Sequence, residues 1–149
     1  MDTDTQNKYL QAGKIAAEAL KYGESLIKPG AKVKDILIKI EQKIFQLGGG
    51  LAFPPQISLN EFAAHCCSDN ADETVLKDQV VKLDVGVHIE GYIADTALTV
   101  DLSGKYTALV NASREALDNA LKIIKPGVTM AEIGKVIQRR NDDVRLIPD

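Results

Sequence analysis

Two aspartates, Asp84 and Asp95, stand eleven residues apart in Val80–Val100, VVKLDVGVHIEGYIADTALTV, and are the costly polar residues of an otherwise β-forming stretch. Val81, Leu83, Val85, Val87 and Ile89 alternate with Lys82, Asp84, Gly86, His88 and Glu90, and Tyr92–Val100 is again β-branched and aromatic, so the run reads as a β-hairpin. A two-residue turn at Glu90-Gly91 pairs Ile89 with Tyr92, and Leu83, Asp84 and Gly86 then face Leu98, Ala97 and Asp95. Asp84 and Asp95 become diagonal neighbours on one face, with Cβ atoms at most ~7–8 Å apart. Val81, Leu83, Val85, Val87, Ala94, Thr96, Leu98 and Val100 form the other, apolar face. Two carboxylates on one face of a buried hairpin repel and lose hydration, so they need cations or protons there. A pair of divalent ions ~3.5–4 Å apart, bridged by one carboxylate and chelated by the other, meets that need. The plainer alternative is two solvated aspartates on an edge ribbon, and a one-residue slip in register would put them on opposite faces.

The elements that position this hairpin follow from periodicity. Lys8–Leu26 carries Leu10, Ile15, Ala16, Ala19, Leu20 and Leu26 at helical spacing, and Ile27-Lys28-Pro29-Gly30 stops it. Val33, Ile36, Leu37, Ile40, Ile44 and Leu47 mark a second helix ended by Gly48-Gly49-Gly50. Those glycines are followed by no Lys-Ser/Thr, so they read as a helix stop, not a phosphate cradle. Leu51–Ile57 contains Pro54-Pro55, which suits an edge strand or an extended loop. Beyond the hairpin, Tyr106–Ile124 is again helical, and Thr129-Met130-Ala131-Glu132 makes a capping box for a fourth helix with Met130, Ile133, Val136 and Ile137 on its apolar side. Glu115-Ala116-Leu117, Ile124-Lys125-Pro126-Gly127 and Glu132-Ile133 repeat Glu18-Ala19-Leu20, Ile27-Lys28-Pro29-Gly30 and Asp35-Ile36 at a constant offset of 97 residues. Helix, break, helix therefore occurs twice.

Composition bounds the function classes. With 149 residues, 45% of them apolar, the chain has material for one core. A net charge of −3 and an isoelectric point near 5.4 leave no electrostatic footprint for nucleic acid or anionic membranes. Met1–Lys8 is polar and no 18-residue apolar run occurs, so a soluble, cytoplasmic protein is expected. Adjacent Cys66 and Cys67 would make a strained disulfide and read as reduced thiols. His65-Cys66-Cys67 lacks the spacing of a zinc site.

LDVGVHIEGYIADTALTV resembles the metal-binding hairpin of methionine aminopeptidases, particularly the archaeal and eukaryotic type 2 branch of the pita-bread metallopeptidases, and the similarity runs over nearly the whole chain. The resemblance implies an α+β pita-bread fold, here incomplete: an antiparallel sheet with a metal-site hairpin, covered by helices. Asp84 and Asp95 would ligate a dimetal centre. Asn60-Glu61-x-Ala63-Ala64-His65 matches the family's motif whose histidine contacts the substrate peptide, which implies a substrate role for His65; on the residues alone it reads as structural. Phe53-Pro54 resembles the Phe-Pro whose ring walls the pocket for the substrate's first side chain, the alternative being a core phenylalanine. Relatives have an aromatic and Thr-Pro after the histidine, where Cys66-Cys67-Ser68 stand here. His88 reads as structural.

By the same resemblance the activity is removal of N-terminal methionine from nascent proteins, by water that two divalent cations (Co, Mn, Fe or Zn) acidify while they polarise the scissile carbonyl. The family's remaining ligands, a histidine and two glutamates, and its proton-shuttling glutamate have no counterpart in these residues, so no complete catalytic set is expected. The chain reads as a single truncated domain, with a first unit over 1–105 and the start of a second over 106–149, and its tail after Gln138 departs from the family's continuation. Weak or no metal binding, no activity of the chain alone, and self-association through the surface meant for the second unit follow as expectations. The alternatives are a non-catalytic pita-bread binding module and an inactive fragment.

Overall fold

The computed structural model describes residues 1–67 and 72–142, the last four of these (139–142) as backbone only. Ser68 and the end of the tail, 143–149, lie outside the described residues. Two compact units divide at Ser103/Gly104.

In the first unit, α1 (Thr3–Leu26) starts five residues before the expected Lys8. The reason is local: Asp2 caps the helix, accepting from the Thr5 backbone N–H at 2.8 Å and from the Thr5 hydroxyl at 2.9 Å. Ala12, Ile15, Ala16, Ala19 and Gly23 form its buried stripe. Leu10, expected on that stripe, is 55% exposed. Next, α2 (Val33–Gln46) buries Val33, Ile36, Leu37, Ile40 and Ile44 at the expected spacing, and Gly48, at φ 83, ends the helical run.

Three strands form an antiparallel sheet in the order β1 (Gly50–Leu59), β2 (Val80–Ile89), β3 (Tyr92–Asp101). The edge position of β1 tolerates Pro54-Pro55, which cannot donate to a ladder. The hairpin of β2 and β3 has the register expected from a two-residue turn, with Leu83, Asp84 and Gly86 opposite Leu98, Ala97 and Asp95. Glu90 (φ 49) and Gly91 (φ 86) both adopt left-handed backbone, as a type I′ turn requires. Lys8 ties this turn to α1, its ammonium 2.7 Å from both Asp4 and Glu90, while Tyr9 meets Tyr92 edge-on at 5.2 Å. On the apolar face, Val81, Leu83, Val85 and Val87 are fully buried beneath the helices, α1 against β2 and β3 and α2 against β1.

In the second unit, α3 (Thr107–Ile123) packs on α4 (Met130–Asp142). The buried residues of α3 are Ala112, Ala116 and Ala120, a small-residue stripe at a spacing of four. The capping box forms: the Glu132 N–H donates to the Thr129 hydroxyl at 3.2 Å, and the Thr129 N–H to the Glu132 carboxylate at 2.8 Å. Ile133 and Val136 are half-buried, whereas Met130 and Ile137, expected beside them, are exposed.

The repeat is visible in the backbone. Helices end at Leu26 and Ile123 and restart at Val33 and Met130, each pair 97 apart. Gly30 and Gly127 share a left-handed φ of 88 and 91, and the Ala31 N–H to Lys28 carbonyl bond of 3.1 Å recurs as Val128 to Lys125, also 3.1 Å.

Candidate metal centre

The sheet face opposite the apolar core carries Asp84 from the middle of β2 and Asp95 from β3. Side chains alternate across a strand and opposed residues share a face, so Asp95, facing Gly86, is the diagonal neighbour of Asp84. Asp84 is half-buried and Asp95 exposed. Burial pushes the Asp84 carboxyl above the ordinary carboxylate range; the negative charge of Asp95 and a hydrogen bond between the two carboxyls push it further, against a smaller opposing pull from His65 and the Val85 N–H. Asp84 Oδ1 is buried and has no hydrogen-bond partner among the described residues. An acceptor oxygen in that state lacks a donor or a cation.

Two bulges in β1 bring further groups to this face. Leu51 opposes Val87 on the apolar side, and Ile57 opposes Leu83 there. Regular alternation between them would turn Phe53 into the core. One extra residue between Leu51 and Phe53, and another between Phe53 and Gln56, instead pair Phe53 with Gly86 and Gln56 with Asp84. The Phe53 ring lies over Gly86, where a Cβ would overlap it, so the glycine makes room for an aromatic wall beside both aspartates. Gln56, a residue that sequence reasoning passed over, is 8% exposed, and its Oε1 also lacks a partner. The signal was a lone carboxamide between Pro54-Pro55 and Ile57, in a strand too apolar to expect one.

The neighbouring loop is held by the end of the sheet. Asn60 (φ 52) donates its N–H to the Val80 carbonyl at 2.9 Å and accepts the Val80 N–H on Oδ1 at 3.1 Å. Lys82, on the same face as Asp84, sends its ammonium to the Asn60 carbonyl, and burial lowers its pKa. The loop leads to His65, which is exposed, holds a left-handed φ of 64, and is near enough for its charge to act on Asp84. His88 is used structurally: its ring packs where a Cβ of Gly50 would stand, and its Nδ1 accepts the Gly91 N–H at 3.1 Å. Cys66 and Cys67 are free thiols. Among the described residues, no three His, Cys, Asp or Glu side chains form a metal-holding group, so Asp84 and Asp95 stand as a pair.

Over residues 7–143 the sequence matches metallopeptidase family M24. The chain belongs to that family. Among M24 proteins it is similar to the methionine aminopeptidase of Thermococcus onnurineus, 48% identical over 136 residues, and to that of Methanocaldococcus jannaschii, 46% identical over 139. These alignments cover 91% and 93% of this chain but 46% and 47% of the relatives, so the chain spans about half the length of the curated relatives it matches. Among solved M24 structures, methionine aminopeptidase from Thermotoga maritima superposes with a TM-score of 0.89 at 28% identity, covering 97% of this chain and 62% of that one. The four helices and the three-stranded antiparallel sheet are thus an α+β, partial pita-bread fold.

Proposed function

We propose that this chain carries the amino-terminal share of a methionine aminopeptidase site, acting in the cytoplasm on the N-terminal methionine of nascent proteins. The observation that supports it most is the Asp84–Asp95 pair: two same-face carboxylates, one raised in pKa by burial and its neighbour, with a buried oxygen that nothing among the described residues satisfies. That donor set fits divalent metal, because a cation offsets both the repulsion and the lost hydration. When bound, such metals polarise a carbonyl and make water a stronger nucleophile. Asp84 and Asp95 would hold them, Phe53 would wall the pocket for the methionine side chain, and His65 would meet the substrate's peptide group. The Lys82–Asn60 bond steadies the start of the loop on which His65 sits.

With two carboxylates as its only grouped acidic or histidine ligands among the described residues, the 149-residue chain is proposed to bind divalent ions weakly, roughly in the millimolar range of open oxygen sites. Loss of acid/base assistance alone typically removes ~10²–10⁴-fold in rate, so the chain alone should not turn over substrate. Two measurements test this. Mn²⁺ binding followed by electron paramagnetic resonance should be lost in Asp84→Asn and Asp95→Asn, and methionine release from Met-Ala-Ser should stay at background with Mn²⁺ or Co²⁺ present. Chelator-sensitive turnover that Asp84→Ala abolishes would show that these residues suffice for catalysis, and Mn²⁺ binding indifferent to both aspartates would end the metal reading.

A further inference from the structure

The carboxylate pair has a third oxygen beside it. Gln56 and Asp84 are directly opposed across the β1–β2 ladder and share the site face. Gln56 is 8% exposed, and both its Oε1 and Asp84 Oδ1 are buried acceptors without a partner. While Asp84 is ionised these two acceptors cannot satisfy each other, and a native fold rarely leaves even one such atom orphaned. Lys82, on the same face, has its ammonium engaged by the Asn60 carbonyl. A cation beside the pair would satisfy both oxygens at once, and hard divalent ions bind carboxamide and carboxylate oxygens alike.

We infer that Gln56 is a third protein oxygen at the Asp84–Asp95 cation site, its side-chain carbonyl facing the ion that Asp84 holds. Gln56 reaches the site face by regular alternation from Ile57, and the bulge at Pro54-Pro55 is what lets Phe53, opposite Gly86, share that face. A neutral oxygen adds coordination without adding to the repulsion between the carboxylates, which suits a site whose charges are already crowded.

This inference rests on the two-aspartate reading, and the test separates the two. In the 149-residue protein, Mn²⁺ affinity is measured by electron paramagnetic resonance for wild type, Gln56→Met, Gln56→Glu and Asp84→Asn. Separately, the ¹³Cδ signal of Gln56 in the unsubstituted protein is followed by nuclear magnetic resonance as Mg²⁺ is added. Gln56→Met keeps the size and removes the oxygen, so affinity should fall about tenfold, the lower end of what a lost supporting group costs a metal site. Gln56→Glu should bind more tightly than wild type, Asp84→Asn should lose binding, and the ¹³Cδ signal should shift along the same titration curve as Mg²⁺ occupancy. Wild-type affinity in Gln56→Met, or a ¹³Cδ signal that stays still while Mg²⁺ binds, overturns the role of Gln56 and leaves the aspartates standing. Binding that survives Asp84→Asn, or no binding of Mn²⁺ by wild type, overturns the aspartate reading and this inference with it. If Gln56→Met fails to fold, Gln56→Glu and the unsubstituted protein carry the decision.

Discussion

Asp84 sits two ladder pairs away from Asp95, diagonal to it across the β2–β3 hairpin, and its carboxyl is the one whose pKa burial and the neighbouring charge raise above the ordinary 3.8. Protonation therefore favours the folded state. The contribution is fully present below the unfolded value and is lost as pH rises through the raised folded value. In metal-free protein, Asp84→Asn should raise the melting temperature by a few degrees near neutral pH, and the gain should vanish below about pH 3.8. Circular-dichroism melts across this range check it; a lower melting temperature at neutral pH would mean that Asp84 is better solvated than its burial implies.

Gly86→Ala should destabilise the first unit by about 1–3 kcal/mol, because the added methyl meets the Phe53 ring and overpacking costs that much. Phe53→Ala in the same protein should recover part of the loss. A double-mutant cycle by urea unfolding would then give a coupling of about 0.5–3 kcal/mol, and simple additivity would refute the contact.

The helix faces make a paired prediction. Leu83→Ala, in the centre of the core, should cost about 2–5 kcal/mol. Leu10→Ala, on the exposed side of α1, should stay within about 0.5 kcal/mol. Equal effects would place Leu10 back on the buried stripe.

Thr129→Ala removes the hydroxyl that receives the Glu132 N–H and should weaken α4 by about 1 kcal/mol. Amide hydrogen exchange reads it directly: the Glu132 amide, bonded to the Thr129 hydroxyl, should exchange faster, and the Ile133 amide, bonded to the retained Thr129 carbonyl, should change less. Unchanged protection at the Glu132 amide would mean the box contributes nothing.

The hairpin register was legible because a two-residue turn leaves no freedom: once Glu90-Gly91 is the turn, Asp84 and Asp95 must share a face. The capping box and the α2 stripe were legible for a similar reason, each being a local pattern with one geometric outcome. The start of α1 was not, because Asp2 acts as a cap through hydrogen bonds to Thr5 outside the apolar period. Phe53 was the harder case. Period-two counting sends Phe53 to the core, and only the partner strand shows where β1 gains its two extra residues. Pro54-Pro55 signalled that the ladder breaks but not which way each side chain turns.

The recurrence of Lys28-Pro29-Gly30 as Lys125-Pro126-Gly127 bears on descent. Within each copy the helix end, the left-handed glycine and the next helix start keep the same count, while most side chains of the helices on either side differ. If the two copies come from one ancestral segment, substitutions have accumulated freely and insertions or deletions have not. A single inserted residue turns everything beyond it by about 100° around a helix axis, which would swing an entire buried stripe into water. Length, more than residue identity, is the character this segment has inherited.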